Sequence, residues 1–114
     1  ITRTENDMYA RQVSMELKPR SRKDFTHQIE AEILPLLRKQ KGFKDEISFI
    51  SPDGKNVVAF SLWDNKESAE AYRHGPYAEV NNTLSKLAQG KLRVKDFEVA
   101  NSTFHKIAAT QKAA

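Results

Sequence analysis

An α+β domain with elements in the order strand, helix, strand, strand, helix, strand is what this sequence predicts, and three observations carry it. Apolar residues alternate with period two near both ends of the chain and in its middle. They recur at helical spacing in the two stretches between. Ser51-Pro52-Asp53-Gly54 supplies a tight turn inside the middle stretch, because proline presets one backbone angle and glycine tolerates positive φ. The 114 residues suit one domain, since a single core is usual below roughly 150 residues. Residues 8 to 106 form that domain in this reading, and the polar, aperiodic residues 1 to 7 and 107 to 114 read as tails.

The first strand runs from Met8 to Leu17, with Val13, Met15 and Leu17 on one face and Ala10, Gln12, Ser14 and Glu16 on the other. Pro19 breaks it. Ser21 followed by Asp24 resembles a capping box, so a helix begins there. Phe25, Ile29, Ile33, Leu36 and Leu37 make its apolar stripe, and Gly42 ends it. Pro35 lies inside the pattern, removes one helical hydrogen bond and predicts a kink near Ala31 to Leu34.

A second strand over Phe43 to Ile50 and a third over Asn56 to Trp63 form a hairpin about the Pro-Asp-Gly turn. The third is apolar on both faces, with Val57, Ala59 and Trp63 alternating with Val58, Phe60 and Leu62. Helices on one side alone leave the other side in need of cover. Asp64 and Asn65 can accept from the first turn of a second helical region, which breaks at Gly75-Pro76 and resumes with Tyr77, Val80, Leu84 and Leu87 up to Gly90. A last strand spans about Leu92 to Phe104.

Two strand-helix-strand halves joined by a hairpin give the ferredoxin-like βαββαβ arrangement, a four-stranded antiparallel sheet with both helices on one face. The bare face would carry Ala10, Ile50, the inner residues of the central strand and Phe104, together with Gln12 and Ser14. That surface is too greasy for water, and pairing two sheets about a two-fold axis would cover it. A homodimer through the sheet faces is therefore expected.

Composition narrows the function. The absence of cysteine removes disulfides, thiol nucleophiles and thiolate metal sites, and it fits a reducing cytoplasm. No apolar run approaches membrane-spanning length. The net charge of +4 comes from cations scattered around helix ends, among them Arg38, Lys39, Lys41, Lys86 and Lys91, without a motif for nucleic acid. No two histidines have metal-ligand spacing, so no metal site is expected.

The run Leu62-Trp63-Asp64-Asn65-Lys66-Glu67-Ser68-Ala69-Glu70-Ala71-Tyr72, preceded by Pro35-Leu36-Leu37-Arg38-Lys39-Gln40-Lys41-Gly42-Phe43, resembles the antibiotic-biosynthesis monooxygenase-like family of dimeric α+β barrels. The resemblance spans roughly residues 8 to 106 and rests on structural motifs. It implies a dimer and, among the family's activities, cofactor-independent oxygenation of phenols, haem degradation or signal-molecule processing. The haem-degrading pattern is not met: Tyr72 stands where that branch has tryptophan, Asn81 or Asn82 where it has the iron-ligating histidine, and Ala10, Arg11 or Gln12 where it has asparagine.

The resulting expectation is a cofactor-free, monooxygenase-like domain binding a small hydrophobic, phenol- or quinol-like compound. His74, in the break between helical pieces, and Tyr72 are the candidate catalytic groups. Gln12, Ser14, Trp63 and Tyr77 are the candidate ligand contacts, with Ser48 or Ser61 added according to strand register. His27 falls off the apolar stripe, and His105 lies in the last strand or tail. The competing expectation is a non-catalytic dimeric binding or sensing module whose chamber is filled by its own side chains.

Overall fold

The structure, a computed structural model, describes residues 7 to 104. His105 lies outside the described residues. The chain forms β1 (Tyr9–Glu16), α1 (Arg22–Gln28), a π-helical segment (Ile29–Ile33), α2 (Leu34–Arg38), β2 (Phe43–Ile50), β3 (Asn56–Trp63), α3 (Lys66–Arg73), α4 (Tyr77–Ser85) and β4 (Arg93–Glu98). The strands make one antiparallel sheet in the order β2-β3-β1-β4, and the helices cover one of its faces. This is the expected ferredoxin-like arrangement.

Alternation decides the core. Met15 of β1 with Val57 and Trp63 of β3 meet Phe25, Ile29, Ile33 and Leu37 from the first helical layer. Ala69, Tyr72, Val80 and Leu84 complete it from α3 and α4. On the other face, Ile47 pairs with Phe60, Phe49 with Val58, and Ala10 with both Leu62 and Phe97. Phe49 there is 53% exposed.

The turn at Ser51 closes as its residues predict. The Gly54 amide donates to the Ser51 carbonyl at 2.8 Å, and the Lys55 amide donates to the Asp53 carboxylate at 2.9 Å. Asn65 caps α3, accepting from the Ser68 amide at 2.8 Å.

Five expectations are corrected. Ser21 forms no capping box: its carbonyl accepts from the Phe25 amide at 2.8 Å, while its side chain makes no capping bond. Pro35 does not simply kink one helix. A π-helical turn over Ile29–Ile33 widens the backbone just before it, and the residues at both ends of that turn keep right-handed helical angles, so Pro35 sits within a continuous helical run whose bonding the π turn has already shifted.

Ile50 packs against the core rather than the bare face, because a register shift between Phe43 and Asp45 reverses the alternation of β2. Phe43 and Ile50, seven positions apart, would otherwise point to opposite faces. The last strand ends at Glu98, after which the Val99 amide donates to the Met8 carbonyl at 3.0 Å. Phe104 consequently lies beyond the sheet, exposed.

Candidate functional site

Four polar side chains stand in one row across the sheet on its helix-covered face. Glu46 of β2 is opposite Ser61 of β3, Ser61 is opposite Arg11 of β1, and Arg11 is opposite Asp96 of β4. Paired positions in an antiparallel ladder share a face, so register alone aligns them. The alternation that points Val13, Met15 and Leu17 inward, extended backward, also points Arg11 inward.

Arg11 is only 4% exposed. Its Nη1 lies 3.5 Å from Asp96 Oδ1, a long contact for an ion pair. Its guanidinium carbon sits 4.4 Å from the centre of the Tyr77 ring. Its Nε has no hydrogen-bond partner among the described residues. A buried guanidinium with an unused donor is costly, and that is the condition in which an acceptor supplied by a ligand would be favourable.

Tyr72 of α3 and Tyr77 of α4 roof the row, and Trp63 of β3 lies beside it on the sheet. Trp63, fully buried, donates from Nε1 to Ser61 Oγ at 2.9 Å and lies 4.8 Å from the Tyr72 ring. Tyr72 lies 5.8 Å from Tyr77, edge to face, and Phe43 seals Trp63 from the far side at 5.6 Å. Between roof and row is a cavity of about 40 Å³ lined by Arg11, Glu46, Ser61, Tyr72 and Tyr77 and by the apolar side chains of Ile33 and its neighbours. A surface depression of about 360 Å³, bounded by Gln40, Asp64 and Ser68, reaches Tyr72 from outside. Tyr72 is thus a wall shared by the interior cavity and this outer approach.

Burial governs the protonation of these groups. It raises the Tyr72 hydroxyl far above the ordinary phenol range, Tyr77 adding to the effect and Arg11 opposing it. Burial also raises Tyr77, against the pull of the Arg11 cation; the Tyr77 hydroxyl still has no partner of good hydrogen-bond geometry among the described residues. Both tyrosines are therefore proton donors at neutral pH, unsuited to act as bases. Burial raises the Glu46 carboxyl above its usual range, opposed by a hydrogen bond from the Ser48 hydroxyl. A raised carboxyl is a stronger base once ionised.

The structure brings Trp63, Tyr72 and Tyr77 together and separates the other anticipated residues from them. Gln12 and Ser14 project from the opposite face of the sheet, where they pair with Phe60 and Lys95 and with Val58 and Arg93. The side chain of His74 is 69% exposed and lies 3.3 Å from Glu70 Oε1, which also meets Arg73 at 3.2 Å. It does not line the cavity. His27 is exposed, as its place off the stripe implied.

Arg11 and Glu46 were missed as site residues. Arg11 carried a readable signal, a charge in phase with an apolar strand face, whereas the bulge in β2 hid the phase of Glu46. Among the described residues no group of three or more histidines and carboxylates could hold a metal ion, and no helix is long and apolar enough to cross a membrane.

No protein-family profile matches the sequence, and no curated protein resembles it in sequence. Solved structures resemble it in fold. A monooxygenase from the ActVA-Orf6 gene of Streptomyces coelicolor, in complex with nanaomycin D, superposes with a TM-score of 0.71 at 18% identity, covering 82% of this chain and 88% of that one. SnoaB, a cofactor-independent oxygenase from Streptomyces nogalater, has a TM-score of 0.70 at 12% identity, with 85% and 97% covered. A protein of unknown function from Nitrosomonas europaea has a TM-score of 0.69 at 16% identity, with 88% and 96% covered. The chain has the fold of antibiotic-biosynthesis monooxygenase-like proteins, as the sequence resemblance implied. At such identities the likeness is one of architecture.

Proposed function

We propose that this chain binds a small, hydrophobic, phenol- or quinol-like compound between its sheet and helices and oxygenates it without a cofactor. The observation that carries the reading is the buried Arg11 guanidinium, with an unused Nε donor, at a cavity lined by Tyr72 and Tyr77, with Trp63 packed behind Tyr72. Aromatic walls favour a flat ring, and a fixed cation favours the oxygen of that ring when it carries negative charge. The oxygenase names of two proteins of the same fold support the reaction class.

The chemistry asks little of the protein beyond electrostatics. An electron-rich phenolate can itself reduce oxygen, so the site need only bind the phenol, hold its developing charge at Arg11 and keep bulk water away. Tyr77 would donate to the same oxygen. A cavity of about 40 Å³ holds no aromatic ring, so Tyr77 and the start of α4 have to move outward, and the Gly75-Pro76 junction before α4 is the natural pivot. Gln12, Ser14 and His74 lie outside this cavity.

A second copy of the chain is the expected cover for the other face. Ile47, Phe49 and Phe97 are exposed there, and the Phe49 and Phe60 rings meet edge to face at 6.4 Å. Two such faces stacked about a two-fold axis would bury them together.

The size of the cavity favours a second reading, a non-catalytic dimeric module whose interior is filled by its own tyrosines. Oxygen uptake and quenching of the sole tryptophan, Trp63, decide between them. Saturable quenching by phenols with oxygen consumption, both lost in Arg11→Met, is the outcome expected of the oxygenase. Quenching without consumption supports the binding module, and neither response removes the cavity as a ligand site.

A further inference from the structure

We propose that the Glu46 carboxylate is the base that removes the phenolic proton of a substrate whose oxygen lies at Arg11. This inference rests on the oxygenase reading and assigns the residue that starts the reaction. Glu46 and Arg11 face the same cavity from β2 and β1, with Ser61 of β3 between them. Two strand spacings separate their backbones, about 10 Å, and both side chains are long enough to reach a group held above Ser61.

The surroundings of Glu46 suit a base. The Ser48 hydroxyl on the same strand donates to one carboxylate oxygen and orients the group. From β3 it faces Ser61, and farther along the row Arg11 and Asp96. From α3 and α4 it faces the hydroxyl-bearing rings of Tyr72 and Tyr77, both held protonated by burial. The first helical layer contributes only Ile29, Ile33 and Leu37. Within this cavity Glu46 is thus the carboxylate whose proton affinity burial increases, with a cation placed to hold the anion that results.

The step balances with oxygen as the only co-reactant. Glu46 takes the hydroxyl proton, and the phenolate oxygen is held at Arg11. Electron transfer from the ring to O2 and recombination form a carbon–oxygen bond at the para carbon. The peroxide anion so formed takes the proton back from Glu46. Loss of the para carbon's proton and cleavage of the oxygen–oxygen bond leave a quinone and expel hydroxide, which combines with that proton as water. One phenol and one O2 give one quinone and one water, the ring supplying the electrons that reduce both oxygen atoms.

The test uses α-naphthol, with oxygen uptake and naphthoquinone absorbance reporting turnover and Trp63 quenching reporting binding. Glu46→Gln is expected to lower kcat on the order of 100-fold while affinity stays within about threefold. Ser48→Ala, which removes the bond that lowers the Glu46 pKa, is expected to move the acid limb of the kcat profile to higher pH. An unchanged kcat in Glu46→Gln, or an acid limb unmoved in Ser48→Ala, overturns the assignment while leaving the oxygenase reading intact. A wild-type protein that consumes no oxygen with α-naphthol overturns both.

Discussion

The Arg11 guanidinium lies 4.4 Å from the centre of the Tyr77 ring, yet neither the Arg11 Nε nor the Tyr77 hydroxyl has a hydrogen-bond partner among the described residues. Two polar groups are thus buried at the same place without full satisfaction. For a purely structural interior that is a cost, and the cost makes the role of Arg11 measurable.

Arg11→Met should be no less stable than the parent protein, and could gain about 1 kcal/mol, because an apolar chain of similar length fills the space without a desolvated charge. The same variant should lose at least about tenfold in affinity for phenols. Urea denaturation and Trp63 quenching measure the two effects. A variant both much less stable and equally good at binding would contradict the assignment of Arg11 to a ligand.

Glu46 makes stability depend on pH in a definite sense. Its folded-state pKa is raised by burial, so folding favours the protonated form. The contribution is fully present below the ordinary glutamate range and is lost as pH rises through the raised value. Glu46→Gln should therefore be more stable than the parent at pH 7, with the difference shrinking toward about pH 4. Thermal unfolding across that range checks it, and an advantage that grows on acidification would contradict it.

Phe49 stands on the uncovered face, 53% exposed. The parent protein is expected to be dimeric at micromolar concentration by light scattering. Phe49→Glu should be monomeric with little change in thermal stability below the concentration at which the dimer forms, since the side chain contributes little to the core of one subunit. A monomeric parent would remove the sheet face as the dimer interface.

Gly42 and Gly54 separate steric overlap from backbone strain. Both have positive φ, +83° and +75°. A Cβ at Gly42 would also overlap the Asp64 carboxylate and the Ser68 side chain, whereas at Gly54 it would meet open space. Gly54→Ala should cost about 1 kcal/mol, the left-handed backbone term alone. Gly42→Ala should cost at least twice as much, about 2 to 4 kcal/mol, with the excess attributable to overlap. Equal losses in urea denaturation would mean that the Asp64 loop gives way freely.

Sequence by itself determined what short-range chemistry and periodicity control. Alternation placed β1 and β3, helical spacing placed Phe25, Ile29, Ile33 and Leu37 in one stripe, and Pro52-Asp53-Gly54 made the hairpin. The doubly apolar β3 already announced a face in need of cover. These signals survive because each acts over a few residues, where backbone geometry leaves few alternatives.

Tertiary structure alone decided which polar residues meet. One extra residue between Phe43 and Asp45 sets the phase of β2, and with it whether Glu46 faces the core. Strand register aligned Glu46, Ser61, Arg11 and Asp96 in one row, while the sheet divided Gln12 and Ser14 from Trp63, Tyr72 and Tyr77. Side-chain period two makes such assignments reverse with a single slip, so no local pattern can hold them. The open face named at the level of the sequence kept its place, but the candidate site lies beneath the helices on the other side of the same sheet.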